Sequence, residues 1–232
     1  MSNTFAEKPI IFSGPMVRAI LNETKIQTRR VMKPQPVYDP ELYKKVHTYG
    51  SQHGGWVWQV KPDHLWFCWD DWKGFDPRIY QSGPYQPGDR LWVRETWATN
   101  YDLDHVKPSN LEAVHYLTPI YYKADGPNLH NGYELGFLAK TWRPSIFMPR
   151  WASRLTLEIA EVRVERLQDI SEKDALAEGV DLSIPGGIHQ QLGPKWAVPR
   201  FQALWDSING KRPGCSWQDN PRVWVIEFSK LN

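Results

Sequence analysis

The chain has 232 residues and a formal net charge of +2, and its 41% hydrophobic and 23% charged residues are ordinary globular usage, which excludes wholesale disorder. No stretch approaches the ~20 apolar residues that span a bilayer, so a membrane protein is excluded as well. Met1 to Lys8 carry no charged-then-apolar leader pattern, and Cys68 and Cys215 stand far apart without a Cys-x-x-Cys spacing; these features predict a cytoplasmic protein with neither a disulfide framework nor a cysteine zinc cluster.

Pro9 to Phe12 predicts a strand. Ser13 then offers a capping hydroxyl and Pro15 a first-turn proline, and Met16, Val17, Ile20 and Leu21 recur at helical spacing, predicting a helix over about 15–22. Ile26 to Val31 returns to a strand pattern, which Lys33-Pro34-Gln35-Pro36 breaks. Residues 34–86 mix Pro, Gly, Tyr and Trp without a sustained period and read as a long insertion, not a second domain. Pro87-Gly88-Asp89 is a turn signal ahead of Arg90 to Arg94, a buried strand, and a second insertion runs from about 98 to 145.

From Leu155 apolar residues alternate through Ile159 and then shift parity to Val162 and Val164, which predicts a bulge near Ala160-Glu161 of the kind that turns corners in small barrels. Ser171 to Asp174 has the form of a capping box, with Gly179 as the stop. Phe201, Leu204, Trp205 and Ile208 lie at i, i+3, i+4 and i+7 ahead of Gly210, an amphipathic helix, and Val223 to Phe228 predicts a closing strand. The sum is an α+β protein: one domain over 1–232, built as a small mixed β-barrel with short flanking helices and two loop-rich insertions.

The seven histidines show no metal-ligand spacing, the glycine pairs at 54–55 and 186–187 lead into no phosphate-binding loop, and no Gly-x-Ser-x-Gly occurs. No metal or organic cofactor is therefore expected. The 13 tryptophans, 10 tyrosines and 8 phenylalanines are unusual; they serve either to pin irregular, proline-rich segments or to stack bases. A charge of +2 is too small for a dedicated nucleic-acid footprint, although the segment from Arg18 to Lys33 holds five basic residues and one acid, Glu23.

Within that segment, Asn22-Glu23-Thr24-Lys25-Ile26-Gln27-Thr28-Arg29-Arg30 reads by itself as a solvated basic strand. It also resembles the Gly-x-Lys-x-x-(Glu/Thr)-x-Arg signature of the ASCH domain, a PUA-like small barrel related to RNA-binding modules. Pro87 to Leu91 is similar to that family's turn into its next strand, Leu167 to Gly179 to its strand-to-helix segment, and Val225 to Phe228 to its terminal strand. The resemblance extends to compact bacterial members that hydrolyse N(4)-acetylcytidine and to longer phage and prophage ASCH proteins. It implies an amidohydrolase that releases cytidine and a carboxylic acid, with Lys25 as base, Thr28 as nucleophile and Glu178 as acid. Arg29 and Arg30 would tune the lysine or hold an oxyanion, and Tyr85, Trp92 and Trp97 are the candidates to stack the base. The implied partner is a small nucleoside, with the protein a monomer. The alternatives are a non-catalytic module that reads RNA or a modified base on the face of Arg18, Lys25, Arg29 and Arg30, and an ASCH-type ribonuclease.

The segment departs from the signature at Glu23, where the family has Gly; Asn22 is expected to supply the left-handed turn in its place. A second condition is geometric. On one flat strand Lys25 and Thr28 would stand ~10 Å apart on opposite faces, so the mechanism requires the backbone to turn at Lys25–Ile26.

Overall fold

A computed structural model describes residues 6–33, 35, 83–111, 119–126, 141–183 and 192–231 in full, and the backbone alone of 37–38, 55–61, 64–70, 129–130 and 133–134. In chain order the strands are β1 (Glu7–Ile11), β2 (Gln27–Val31), β3 (Val37–Tyr38), β4 (Gly55–Lys61), β5 (His64–Asp70), β6 (Arg90–Arg94), β7 (Trp97–Ala98), β8 (Tyr121–Tyr122), β9 (Leu129–His130), β10 (Tyr133–Glu134), β11 (Thr156–Arg166) and β12 (Arg222–Leu231). The α-helices are α1 (Gly14–Leu21), α2 (Glu172–Ala177) and α3 (Ala197–Asn209), with short 3₁₀ turns between elements. The fold is α+β. Its main sheet has five strands in the order β1-β6-β11-β12-β2 and is not closed into a barrel. No helix among the described residues is long and apolar enough to cross a membrane.

The chain divides into two compact units, one formed by Met1–Lys25, Gly88–Glu158 and Phe228–Asn232, the other by Ile26–Pro87 and Ile159–Glu227. In the first, β1 runs parallel to β6 from the Glu7↔Arg90 pair to Ile11↔Arg94, and β11 joins β6 antiparallel through Thr156↔Trp92. The turn before β6 explains the parallel alignment. Gly88 takes φ 87, and buried Asp89 then accepts from Ala6 N at 3.3 Å and pairs with the Lys8 ammonium. Pro15 lies in the first turn of α1 as its fixed φ favours, but Ser13, though it occupies the N-cap, makes no side-chain capping bond. The second insertion packs onto its flanking segments here: Trp97, Met148 and Ala152 form a core with Leu111 of the insertion, with Trp97 edge-on to Trp151 at 6.1 Å. Arg143 fastens it by donating to the carbonyls of Val106 (3.0 Å) and Leu103 (2.7 Å).

In the second unit, β12 pairs antiparallel with β2 from Val223↔Val31 to Glu227↔Gln27. The alternation of β11 breaks where the sequence expects it: Leu157 and Ile159 are buried, Ala160 and Glu161 are both exposed, and Val162 is buried again. α2 opens with a complete capping box, Ser171 and Asp174 each bonding the other's backbone. α3 begins four residues ahead of Phe201 and buries Ala197, Phe201, Trp205 and Asn209, while Ile208 is 46% exposed. That face packs with Leu167, Ile170, Ala175, Val223 and Val225 into the unit's core. The first insertion, read from sequence as irregular, contains an antiparallel sheet, β3-β4-β5, in which Trp56 pairs with Trp69 and Trp58 with Phe67.

Candidate active site

The segment that resembles the ASCH signature begins at the end of α1. Asn22 does not supply the left-handed turn: it sits at φ −86, ψ 5. Glu23 itself adopts φ 60, so the left-handed residue is the one at the position where the resembled signature has Gly. The turn is stitched onto the Ala19 carbonyl, which accepts from Thr24 N (2.9 Å), Lys25 N (3.0 Å) and Thr24 Oγ1 (3.1 Å). The Glu23 carboxylate points into solvent, 77% exposed and 3.6 Å from the Lys230 ammonium. Lys25 is only 1% exposed, and its Nζ lies 5.4 Å from the centroid of the Phe12 ring, a cation–π contact. Lys25 thus belongs to the helix-closing turn, and β2 starts at Gln27. The left-handed residue is Glu23, two positions ahead of the Lys25–Ile26 step at which the sequence called for a turn.

In the second unit, Gln27, Thr28 and Arg29 are all buried on β2. The end of α2 lies beside them, because Ile26 N donates to the Ala177 carbonyl at 2.9 Å. Glu178 follows as the C-cap of α2 and is buried, and Gly179 turns the chain away at φ 77. Arg29, with a side chain 0% exposed, bridges two carboxylates: Nη1 donates to Glu178 Oε1 at 3.3 Å and Nη2 to Glu165 Oε2 at 2.9 Å. The flat of its guanidinium lies 5.9 Å from the centroid of Phe201.

A second arginine anchors this pair. Arg163 donates to Glu165 Oε1 (2.6 Å), to Gln27 Oε1 (3.2 Å), to Asp174 Oδ1 (3.1 Å) and to Glu227. Burial works against the charge of Asp174, but the Ser171 hydrogen bond and the fields of Arg29 and Arg163 outweigh it and hold its carboxyl below the usual range. For Arg163 the balance also favours charge: its carboxylate partners overcome burial and push the guanidinium further up. Half-buried Arg30 behaves differently. Desolvation lowers it, and the fields of Tyr85 and Glu178, which favour its charge, do not compensate.

Of the residues singled out from sequence, the second unit pairs Arg29 with Glu178 and sets Arg30 within the fields of Glu178 and Tyr85, with Thr28 next to Arg29 on the same strand. Lys25 directly precedes Ile26. Trp92 and Trp97 lie in the first unit. Trp92 is 8% exposed, with the guanidinium groups of Arg94 and Arg150 at 4.6 and 6.0 Å from its ring, and Trp97 is wholly buried with Leu111, Met148 and Ala152. Sequence reasoning missed Arg163, Glu165 and Glu227. The signal was present, since Val162-Arg163-Val164-Glu165 alternates apolar and opposite-charged positions, so that Arg163 and Glu165 share one face of β11. No protein-family model, curated protein or solved structure matches the chain.

Proposed function

We propose that this protein is an amidohydrolase that removes the N(4)-acyl group of acetylcytidine-type nucleosides on a PUA-like ASCH scaffold. The observation that carries the reading is the buried Arg29–Glu178 pair beside Thr28. A carboxyl group withdrawn from water at the end of α2 is a candidate proton donor, and the buried hydroxyl of Thr28, on the strand that also carries Arg29, is a candidate nucleophile. In this reading Lys25 takes the proton from Thr28 Oγ1, which attacks the acyl carbon. Arg30 faces the developing oxyanion, since Arg29 is committed to carboxylates. Glu178 protonates the departing cytosine amine; water then attacks the threonyl ester and gives a proton back to Glu178, Lys25 returns its proton to Thr28 Oγ1 as the ester bond breaks, and the carboxylic acid is released. Tyr85, close enough to act on Arg30, is the stacking side chain of this reading. The protein would act as a cytoplasmic monomer without a cofactor.

Burial favours this reading over a basic face that reads RNA phosphates. Lys25 and Arg29 are 1% and 4% exposed, whereas phosphate contacts that release counterions need solvent-facing cations. The test is chromatography of N(4)-acetylcytidine incubated with the wild-type protein and with Lys25→Ala, Thr28→Ala and Glu178→Gln. Cytidine and acetate are expected from the wild type alone. Bound nucleoside without turnover, or RNA binding that weakens steeply with salt, would replace the enzyme by a binding module.

A further inference from the structure

We infer that Glu165 is a positioning residue for Glu178, acting through Arg29. The kinetic consequence rests on the amidohydrolase reading; the geometry does not. A guanidinium is planar, so fixing one terminal nitrogen fixes the direction in which the other points. The backbone of Arg29 is held by the Arg29↔Val225 pair. Its Nη2 is taken by Glu165 at 2.9 Å, which leaves Nη1 aimed at Glu178 at 3.3 Å. Glu165 is itself fixed, its other oxygen held at 2.6 Å by Arg163 Nε, and Arg163 is anchored by Gln27, Asp174 and Glu227. A competitor for Nη2 stands close by: Asp174 Oδ2 lies 3.9 Å away. If the Glu165 acceptor is withdrawn, the guanidinium turns toward Asp174 and Nη1 leaves its line to Glu178. Glu165 therefore selects one of two orientations of Arg29, and only that one supports the acid.

Two variants separate position from charge in the full chain. Glu165→Asp keeps the negative charge but withdraws the acceptor by about 1.5 Å, and Glu165→Gln keeps one acceptor oxygen at full reach for Arg29 Nη2 while giving up the charge and the bond from Arg163 Nε. With N(4)-acetylcytidine as substrate, Glu165→Asp is expected to lower kcat by roughly 10-fold or more with KM within about twofold, while Glu165→Gln stays within about threefold of wild type. A second readout needs no turnover. The nitrogen-15 signals of the Arg29 guanidinium, resolved by restricted rotation in the wild type, should broaden in Glu165→Asp and persist in Glu165→Gln. Both variants matching wild type in kcat and in the Arg29 signals would overturn the inference, as would Glu165→Gln losing as much as Glu165→Asp. Broadening in Glu165→Asp alone, in a protein that turns over no acetylcytidine, would sustain the positioning role and overturn only the amidohydrolase reading.

Discussion

Glu23 offers a direct energetic test of the turn that leads into the candidate site. At φ 60 its β-carbon crowds the following carbonyl, a penalty of about 1–2 kcal/mol for a residue other than glycine. Glycine removes the penalty but adds backbone freedom to the unfolded chain, about 0.5–1 kcal/mol in the opposite direction. The ion pair to Lys230 spans 3.6 Å from a carboxylate 77% exposed, and such contacts contribute little in water. Glu23→Gly should therefore stabilise the protein by about 0.5–1 kcal/mol, or ~1–4 °C in melting temperature for a chain of this size. Glu23→Ala is the control, because it loses the same ion pair and keeps the β-carbon. Urea denaturation of both variants should place glycine about 1 kcal/mol above alanine. Equal midpoints would mean that the turn is not strained, and that a side chain at position 23 has no energetic consequence.

Elsewhere the buried ion pairs and the helix cap make their own predictions. Arg154 holds Glu95 through two bonds at 2.9 and 3.0 Å; burial, which Arg154 only partly offsets, pushes that carboxyl up. Arg154→Leu strands an acid whose side chain is 1% exposed and should cost about 3–5 kcal/mol by urea midpoint, with Glu95→Gln in the same chain recovering part; a loss under about 1 kcal/mol would refute this. Ser171→Ala should cost about 1 kcal/mol by removing the capping box of α2. The same change has a pH signature. Asp174, held below its ordinary value of 3.8 in the fold, stabilises the protein above that value and ceases to do so as pH falls through the folded one. Without the Ser171 hydrogen bond the two values draw together, so the acid limb of stability against pH should be shallower in Ser171→Ala, and an identical limb would count against the assignment.

Elements that announce themselves through local chemistry were legible in the sequence. β6 was readable to the residue, because the turn signal at Pro87 to Asp89 precedes an apolar strand, and the capping box placed α2 before any contact was known. The break in alternation at Ala160-Glu161 followed from a parity change alone. What failed was whatever depended on partners distant in sequence. The i, i+3, i+4, i+7 pattern of α3 put Ile208 inward, but the helix packs along an i, i+4 stripe from Ala197 to Asn209. β4 and β5 were hidden by the surrounding prolines and glycines, although two seven-residue aromatic runs separated only by Pro62-Asp63 are a hairpin pattern. At the site, the positions of Thr28 and Glu178 came from the resemblance. Arg29 was read as a group for the substrate, and it serves carboxylates because Glu165, itself held by Arg163, reaches it from β11, more than 130 residues away in the chain.

The partner of β2 in the sheet has a temporal consequence. Thr28 gains its ladder neighbour, Ile226, only from β12, 226 − 28 = 198 positions later, and the Phe12 ring above which Lys25 lies meets Phe228 at 6.2 Å across 228 − 12 = 216. Such closures are slow, since the entropy of a long loop must be overcome before its contacts contribute. In a growing chain Thr28 therefore stays without its ladder neighbour, and Phe12 without Phe228, until β12 has been added.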